Sequence, residues 1–121
     1  MLAGRRVLIA EDEPLVAESL ARAVEDAHGE VIGPISRVQD GLALLAVEDV
    51  HAAILDVRLV DRDVFPLAKT LLERGKVIVL HSASPAPEGI VATPGRVSFC
   101  PKPMGAALVV TRLAELIRAA R

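Results

Sequence analysis

Short apolar runs alternate with segments of helical periodicity along the chain, and this alternation limits the possible fold more than any other feature of the sequence. The apolar runs predict strands at residues 5–10, 30–33, 52–56, 76–81 and 97–100. Apolar residues at helical spacing predict helices at residues 14–27, 38–47, 66–74 and 104–120. Pro14 suits a first helical turn, whereas Gly29 and Gly75 suit positions where helices end. Such alternation indicates an α/β domain with a parallel sheet that helices cover on both faces.

The segment 84–96 interrupts this alternation. Its sequence, SPAPEGIVATPGR, contains three prolines and two glycines, which oppose a regular helix. Only residues 88–93 could form the helix expected between the fourth and fifth strands. We therefore expect a short or irregular fourth helix.

Composition restricts the class of function. The 121 residues suit one domain, which we expect to span residues 1–121. No apolar run approaches the roughly 20 residues of a membrane span, and none resembles a signal peptide. A net charge of −2 and only two aromatic residues argue against nucleic-acid binding. The single Cys100 excludes an internal disulfide. We therefore expect a cytoplasmic protein without a membrane or nucleic-acid partner.

Polar side chains follow four of the predicted strands at the points where those strands end. They are Glu11, Asp12, Glu13, Asp56, Ser82 and Lys102. In open parallel sheets the carboxyl ends of the strands meet at one edge, and ligands bind there. The sequence therefore predicts one polar site built from distant parts of the chain.

These residue types suit phosphoryl transfer. Clustered carboxylates repel each other unless a cation joins them, and hard oxygen ligands suit Mg²⁺. The carboxylate of Asp56 could act as a nucleophile and form an aspartyl phosphate. Lys102 and Ser82 could contact the phosphoryl oxygens. Taken singly, each residue has an ordinary explanation, such as a complement to a helix dipole or a place in a turn. Their conjunction favours a single site.

The stretches VLIAEDEPLVAESL, AAILDVRL, VIVLHSAS and SFCPKPM together resemble the receiver domain of two-component response regulators, over essentially the whole chain. DVRLVDRDVFPLAKTLLERG and the glycine- and proline-rich segment that follows are similar to stand-alone receivers of the alphaproteobacterial type. The resemblance implies a flavodoxin-like (CheY-like) three-layer sandwich. Its five-stranded parallel sheet would have the order 2-1-3-4-5.

The resemblance implies an acceptor and a metal site. Asp56 aligns with the phosphoacceptor, and Glu11 and Asp12 align with the acidic pair that binds Mg²⁺. Asp56 itself and the backbone carbonyl of Arg58 would be further metal ligands. The segment VDRD at residues 60–63 departs from the usual loop after the acceptor.

The resemblance also implies a switch. Ser82 aligns with the switch hydroxyl, and the backbone amide of Ala83 should contact the phosphoryl group. Lys102 aligns with the family's lysine, which a proline usually follows in a cis peptide, here Pro103. Phe99 aligns with the switch aromatic residue.

The implied function is signal transduction. A sensor histidine kinase, of the HWE class by the subfamily resemblance, or a phosphotransfer protein would phosphorylate Asp56. A surface that binds an unknown downstream protein would then change. We expect no output domain in this chain and no enzyme activity beyond its own phosphorylation and dephosphorylation. Val109, Val110 and Leu113 occupy neighbouring faces of the last helix, and we expect most of them in the core. An extra exposed apolar strip there would mark a homodimer or partner surface.

Two alternatives remain open from the sequence. A degenerate receiver would bind proteins without ever carrying phosphate, although the presence of Asp56, Ser82, Lys102 and the acidic pair speaks against it. An aspartyl-phosphate hydrolase would typically carry a second aspartate two residues after the nucleophile. Arg58 occupies that position and counts against a hydrolase.

Overall fold

The computed structural model describes residues 1–90 and 95–120, whose strands and helices alternate up to β4. The strands are β1 (Arg6–Ala10), β2 (Glu30–Ile35), β3 (Ala52–Leu55), β4 (Val77–Ser82) and β5 (Val97–Pro101). The helices are α1 (Pro14–Asp26), α2 (Val38–Val47), α3 (Phe65–Glu73) and α4 (Ala106–Ala119). All neighbouring strands pair in parallel, in the order β2-β1-β3-β4-β5. The predicted flavodoxin-like fold and strand order are confirmed.

Helices cover both faces of the sheet and form a core on each side. The core on the α2–α3 side includes Leu8 and Leu67, and the core on the α1–α4 side includes Ile9 and Leu113. Leu8 and Ile9 are neighbours on β1, and their side chains point to opposite faces of the sheet. Because both faces are covered, the central strands β1, β3 and β4 are nearly continuous apolar runs, as their sequences predict.

The second strand extends further than predicted. The prediction ends it at Gly33, but β2 runs through Pro34 to Ile35. The register shifts at this point, since Leu8 pairs with Ile32 whereas Ala10 pairs with Ile35. Proline is tolerated at bulges and on edge strands, and β2 is both an edge strand and bulged here.

The end of α1 also differs from its prediction. Gly29 is predicted as the stop, but the residue with left-handed backbone is His28, at φ 69°. Position 29 requires glycine for a different reason, because the side chain of Val24 packs against its backbone. A Cβ at this position would lie 2.9 Å from Val24 Cγ1. Its backbone N–H donates to the carbonyl of Val24 at 2.9 Å and closes the helix end.

The segment between β4 and β5 contains no helix within residues 83–90 and 95–96, in agreement with the predicted irregularity. The rest of the helix considered for residues 88–93 lies outside the described residues. Gly89 rests against the ring of Phe65 at the start of α3, where a Cβ would lie 2.7 Å from Phe65 Cε1. Ile90 is half-buried against the α2–α3 core. Residues 89 and 90 of this segment therefore pack against α3 and the adjoining core.

The expectation that most of Val109, Val110 and Leu113 lie in the core is confirmed. Val109, Val110 and Leu113 are all buried in the α1–α4 core, whereas Leu108 is 47% exposed. These three residues therefore leave no surface for a second copy. No helix in the described part of the chain has the length and apolar character needed to cross a membrane.

Helix α1 offers a matched test of the core. Leu20 is 1% exposed and Leu15 is 80% exposed on the same helix. We expect Leu20→Ala to lower the free energy of unfolding by about 2–4 kcal/mol, because it removes buried contacts and leaves a cavity. Leu15→Ala should change it by less than about 0.5 kcal/mol. Urea denaturation followed by circular dichroism measures both, and equal effects would contradict the described position of α1.

Candidate functional site

The carboxyl ends of four strands bring the predicted polar residues to one edge of the sheet. Glu11 follows β1, and its backbone N–H donates to the carbonyl of Ile35 at 2.9 Å. Asp56 follows β3, and its N–H donates to the carbonyl of Ala10 at 2.8 Å. Lys102 follows β5, and its N–H donates to the carbonyl of Ser82 at 3.0 Å. Continued strand pairing thus fixes the backbone of each site residue.

Four carboxylates meet at this edge: ligand atoms of Glu11, Asp12, Glu13 and Asp56 all lie within 4.8 Å of one another. Glu11 and Asp56 are buried, whereas Asp12 and Glu13 are exposed. The cluster is therefore open to solvent on one side and closed by the protein on the other.

This donor set fits Mg²⁺. Every candidate side-chain ligand is a hard carboxylate oxygen, and the open side leaves room for water ligands. The buried Oε1 atom of Glu11 accepts no hydrogen bond from the described residues, although the ammonium of Lys102 lies beside it. Burial raises the pKa of Glu11 to about 7, because a buried carboxylate without enough positive charge favours its neutral form. A bound cation would satisfy that oxygen and favour the charged form.

Lys102 supplies positive charge within the cluster. Its Nζ lies 2.9 Å from Glu11 Oε1, 2.9 Å from Glu13 Oε1 and 3.0 Å from Asp56 Oδ2. The contact with Glu11 is an ion pair without hydrogen-bond geometry, whereas Glu13 and Asp56 accept hydrogen bonds. Burial lowers the pKa of Lys102, but the three carboxylates outweigh burial and hold that pKa above its ordinary value. The single positive charge of Lys102 cannot balance four carboxylates, so the cluster keeps negative charge that a further cation could neutralise.

Both carboxylate oxygens of Asp56 accept hydrogen bonds from side chains. Ser82 Oγ donates to Oδ1 at 2.6 Å, and Lys102 Nζ donates to Oδ2 at 3.0 Å. Burial raises the pKa of Asp56, but these two donors outweigh it and place the pKa below its ordinary value. Asp56 is therefore ionised near neutral pH, as a nucleophilic carboxylate must be.

Ser82 connects the acceptor to the irregular segment. The backbone N–H of Ser84 donates to Ser82 Oγ at 3.1 Å, and Ser82 donates in turn to Asp56. Ala83 lies exposed between the two serines. The Ser82 hydroxyl therefore connects the Asp56 carboxylate to the start of this segment.

The remaining predicted residues lie around this centre. The backbone N–H of Arg58 lies 3.4 Å from Asp56 Oδ1, while the residue itself is exposed. Phe99 is 43% exposed on β5, opposite Leu80 of β4. The Lys102–Pro103 peptide is cis, as the resemblance predicts. The structure thus places Arg58 beside Asp56 and leaves Phe99 on the outer strand.

Glu13 and His81 occupy environments in the site that their sequence positions do not reveal. Glu13 holds Lys102, and its backbone N–H donates to Glu11 Oε2 at 3.1 Å. The uninterrupted acidic run after β1 is the signal that points to Glu13. His81 is buried, and neither ring nitrogen has a hydrogen-bond partner within the described residues, although the Met104 carbonyl lies near the ring. Burial, followed by the charge of Lys102, lowers the pKa of His81 and keeps it neutral.

A cavity of about 580 Å³ adjoins the site between α1 and the start of α4. Glu13, His81 and Lys102 line it on the side of the acidic cluster, and Leu15 and Met104 contribute apolar lining. Glu13 and Lys102 therefore belong both to the acidic cluster and to the lining of this cavity.

Comparison with solved structures identifies the architecture. A response regulator receiver protein from Sinorhizobium medicae superimposes with a TM-score of 0.82 at 21% identity, over 97% of each chain. SdrG from Sphingomonas melonis has a TM-score of 0.76 at 27% identity, over 98% of this chain and 99% of its own. The response regulator TrrA from Thermotoga maritima, solved in complex with Mg(2+)-BeF, has a TM-score of 0.76 at 16% identity, over 93% of this chain and 98% of its own.

The fold is that of response regulator receiver domains. The chain matches no protein-family model and no curated protein sequence, so the likeness rests on the structure. Receiver domains are signalling modules, and the acidic cluster is compatible with Mg²⁺.

The raised pKa of Glu11 should make the stability of the metal-free protein depend on pH. The pKa of Glu11 is about 7 in the folded state and 4.5 ordinarily. Between pH 4.5 and pH 7, folding is therefore accompanied by uptake of a proton at Glu11. The resulting contribution to the free energy of unfolding is present at low pH and is lost as the pH rises through 7. Between about pH 5 and about pH 8 we expect the wild type to lose roughly 1–2 kcal/mol more than Glu11→Gln.

Urea denaturation in EDTA at both pH values measures this difference. Glu25→Gln, which changes an exposed glutamate on α1, is the control and should follow the wild type. Equal pH dependence in the wild type and Glu11→Gln would show that Glu11 titrates normally.

Proposed function

We propose that this chain is a phosphorylatable receiver that accepts a phosphoryl group on Asp56 from a histidine kinase or phosphotransfer protein. The main support is the arrangement of Asp56. Ser82 and Lys102 each donate to a different oxygen of its carboxylate, and the acidic cluster lies beside it. Phosphoryl transfer depends mostly on such positioning and on charge neutralisation.

Mg²⁺ is the proposed cofactor. Glu11, Asp12, Asp56 and the backbone carbonyl of Arg58 would hold it. When bound, the ion would neutralise negative charge on the transferring phosphoryl group. The fit of the carboxylate cluster supports this assignment, as does the Mg(2+)-BeF complex of the Thermotoga maritima protein.

The proposed reaction is a direct displacement. One oxygen of the ionised Asp56 forms a bond to phosphorus. The bond from phosphorus to the donor's imidazole nitrogen breaks, and its electron pair returns to that nitrogen. Lys102 remains close enough to place its positive charge beside the phosphoryl oxygens, where it offsets their charge.

Phosphorylation would then switch a surface. Once one Asp56 oxygen is bonded to phosphorus, Ser82 must redirect its hydroxyl to a phosphoryl oxygen, which the Ala83 amide also contacts. Since the Ser84 N–H bonds the same hydroxyl, the start of the irregular segment moves with it. The exposed Phe99 would turn inward beside β4, and an unknown downstream protein would read the change.

The partners follow from the same proposal. A cytoplasmic donor kinase, of the HWE class by resemblance, would approach over the open side of the cluster. The exposed Leu15 and the neighbouring apolar cavity provide contact area there. A homodimer through α4 would use the exposed Leu108 and not Val109, Val110 or Leu113, which are buried.

The decisive experiment is intact-protein mass spectrometry after incubation with acetyl phosphate. We expect one phosphoryl group per chain in the presence of Mg²⁺, and none in EDTA or in Asp56→Asn. Asp49→Asn, on an exposed loop before β3, should be phosphorylated like the wild type. An adduct independent of Asp56 would contradict the assignment of the acceptor.

The same experiment tests the alternative function. A degenerate receiver, acting as a phosphorylation-independent binding module, would give no adduct even at times short enough to trap a labile acyl phosphate. Capture of the adduct in the wild type excludes that alternative.

A further inference from the structure

The loop after Asp56 folds back on itself. Arg58 and Asp63 form an isolated antiparallel bridge. The Leu59 N–H donates to the Arg62 carbonyl at 3.1 Å, and the Val64 N–H donates to the Val57 carbonyl at 2.8 Å. The base of the loop is therefore held by its own backbone, and its tip, residues 60–62, is exposed.

The tip is attached to the start of α2. Asp61 Oδ1 accepts the backbone N–H of Val38 at 2.8 Å, and Oδ2 accepts that of Gln39 at 3.1 Å. The N-cap residue of α2, Arg37, makes no side-chain cap. The first amides of a helix otherwise lack partners, so Asp61 caps α2 from 23 residues away.

The same junction also reaches the acidic pair. The Ser36 carbonyl accepts the N–H of Val60 at 2.9 Å, and the neighbouring Ile35 carbonyl accepts the N–H of Glu11 at 2.9 Å. Residues 35–39 are therefore bonded on one side to the β1 end of the site and on the other to the loop that follows Asp56. They form a brace between these two sides.

We propose that Asp61 is a positioning residue for the metal site, because it fixes the Arg58 end of the loop relative to Glu11 through this brace. The inference rests on the proposed function, in which Glu11 and the Arg58 carbonyl are ligands of one ion. A metal site needs its ligands held by a surrounding shell, and Asp61 acts through backbone without touching the ion.

The test measures Mg²⁺ affinity and phosphorylation separately. Asp61→Ala removes both cap bonds, whereas Asp61→Asn retains one acceptor oxygen. Asp40→Asn is the matched control, because Asp40 lies in the first turn of the same helix and is exposed. Amide chemical shifts in two-dimensional NMR during titration with MgCl₂ give the Kd. Acetyl phosphate labelling gives the half-saturating Mg²⁺ concentration and the maximal rate.

We expect Asp61→Ala to raise the Kd for Mg²⁺ about ten-fold, with a smaller rise for Asp61→Asn and no change for Asp40→Asn. The half-saturating Mg²⁺ concentration should rise in parallel, while the maximal rate at saturating Mg²⁺ is retained. A lower melting temperature of Asp61→Ala in EDTA with unchanged Mg²⁺ affinity would overturn the inference, since Asp61 would then be only a helix cap. If Asp61→Ala does not fold, the Kd of Asp61→Asn for Mg²⁺ takes its place. A raised Kd supports the inference, and an unchanged Kd overturns it.

The two proposals fail in different ways. Mg²⁺ binding without phosphorylation of the wild type overturns the proposed function, and the Kd comparison still decides the role of Asp61. A wild type that does not bind Mg²⁺ overturns both.

Discussion

The burial of the Asp56 carboxylate at the end of a central strand is the constraint on which the site depends. Removing the partner of a buried charge costs about 3–5 kcal/mol, so the fold must keep compensating groups in place. Ser82 and Lys102 provide them from the two following strands, β4 and β5. The parallel order of the sheet aligns these strand ends, and both cores hold that order. Stability and reactivity of the carboxylate therefore share the same contacts.

The sequence predicts the parts of the molecule that periodicity and topology determine. All element boundaries lie within two residues of their predictions, because apolar runs and helical stripes are local signals. Asp56, Ser82 and Lys102 could be placed together because each ends a different strand. The continuation of β2 through Pro34 could not be predicted, since it depends on a bulge opposite β1. Likewise, Gly29 is explained by its contact with Val24, which is not visible in sequence.

The features of the site that the sequence does not predict are long-range polar contacts. The cap that Asp61 gives to α2 joins residues far apart in the chain, and no spacing rule connects them. Glu13 stands in an acidic run that suggests a cluster, yet only the structure shows it paired with Lys102. Side-chain hydrogen bonds of this kind are decided after the strands and helices have assembled.

Charge balance links the proposed phosphoryl chemistry of the site to the proposed switch. Lys102 is shared among three carboxylates, so one ammonium cannot neutralise the cluster, and Glu11 responds with a pKa of about 7. A divalent cation would remove this deficit, whereas a phosphoryl group would add negative charge at the same point. Each event must redistribute Lys102 and Ser82 between old and new oxygens. Because Ser82 also holds the Ser84 amide, such redistribution would change the start of the segment between β4 and β5. Residues 83–90 form no helix whose hydrogen bonds would oppose that change.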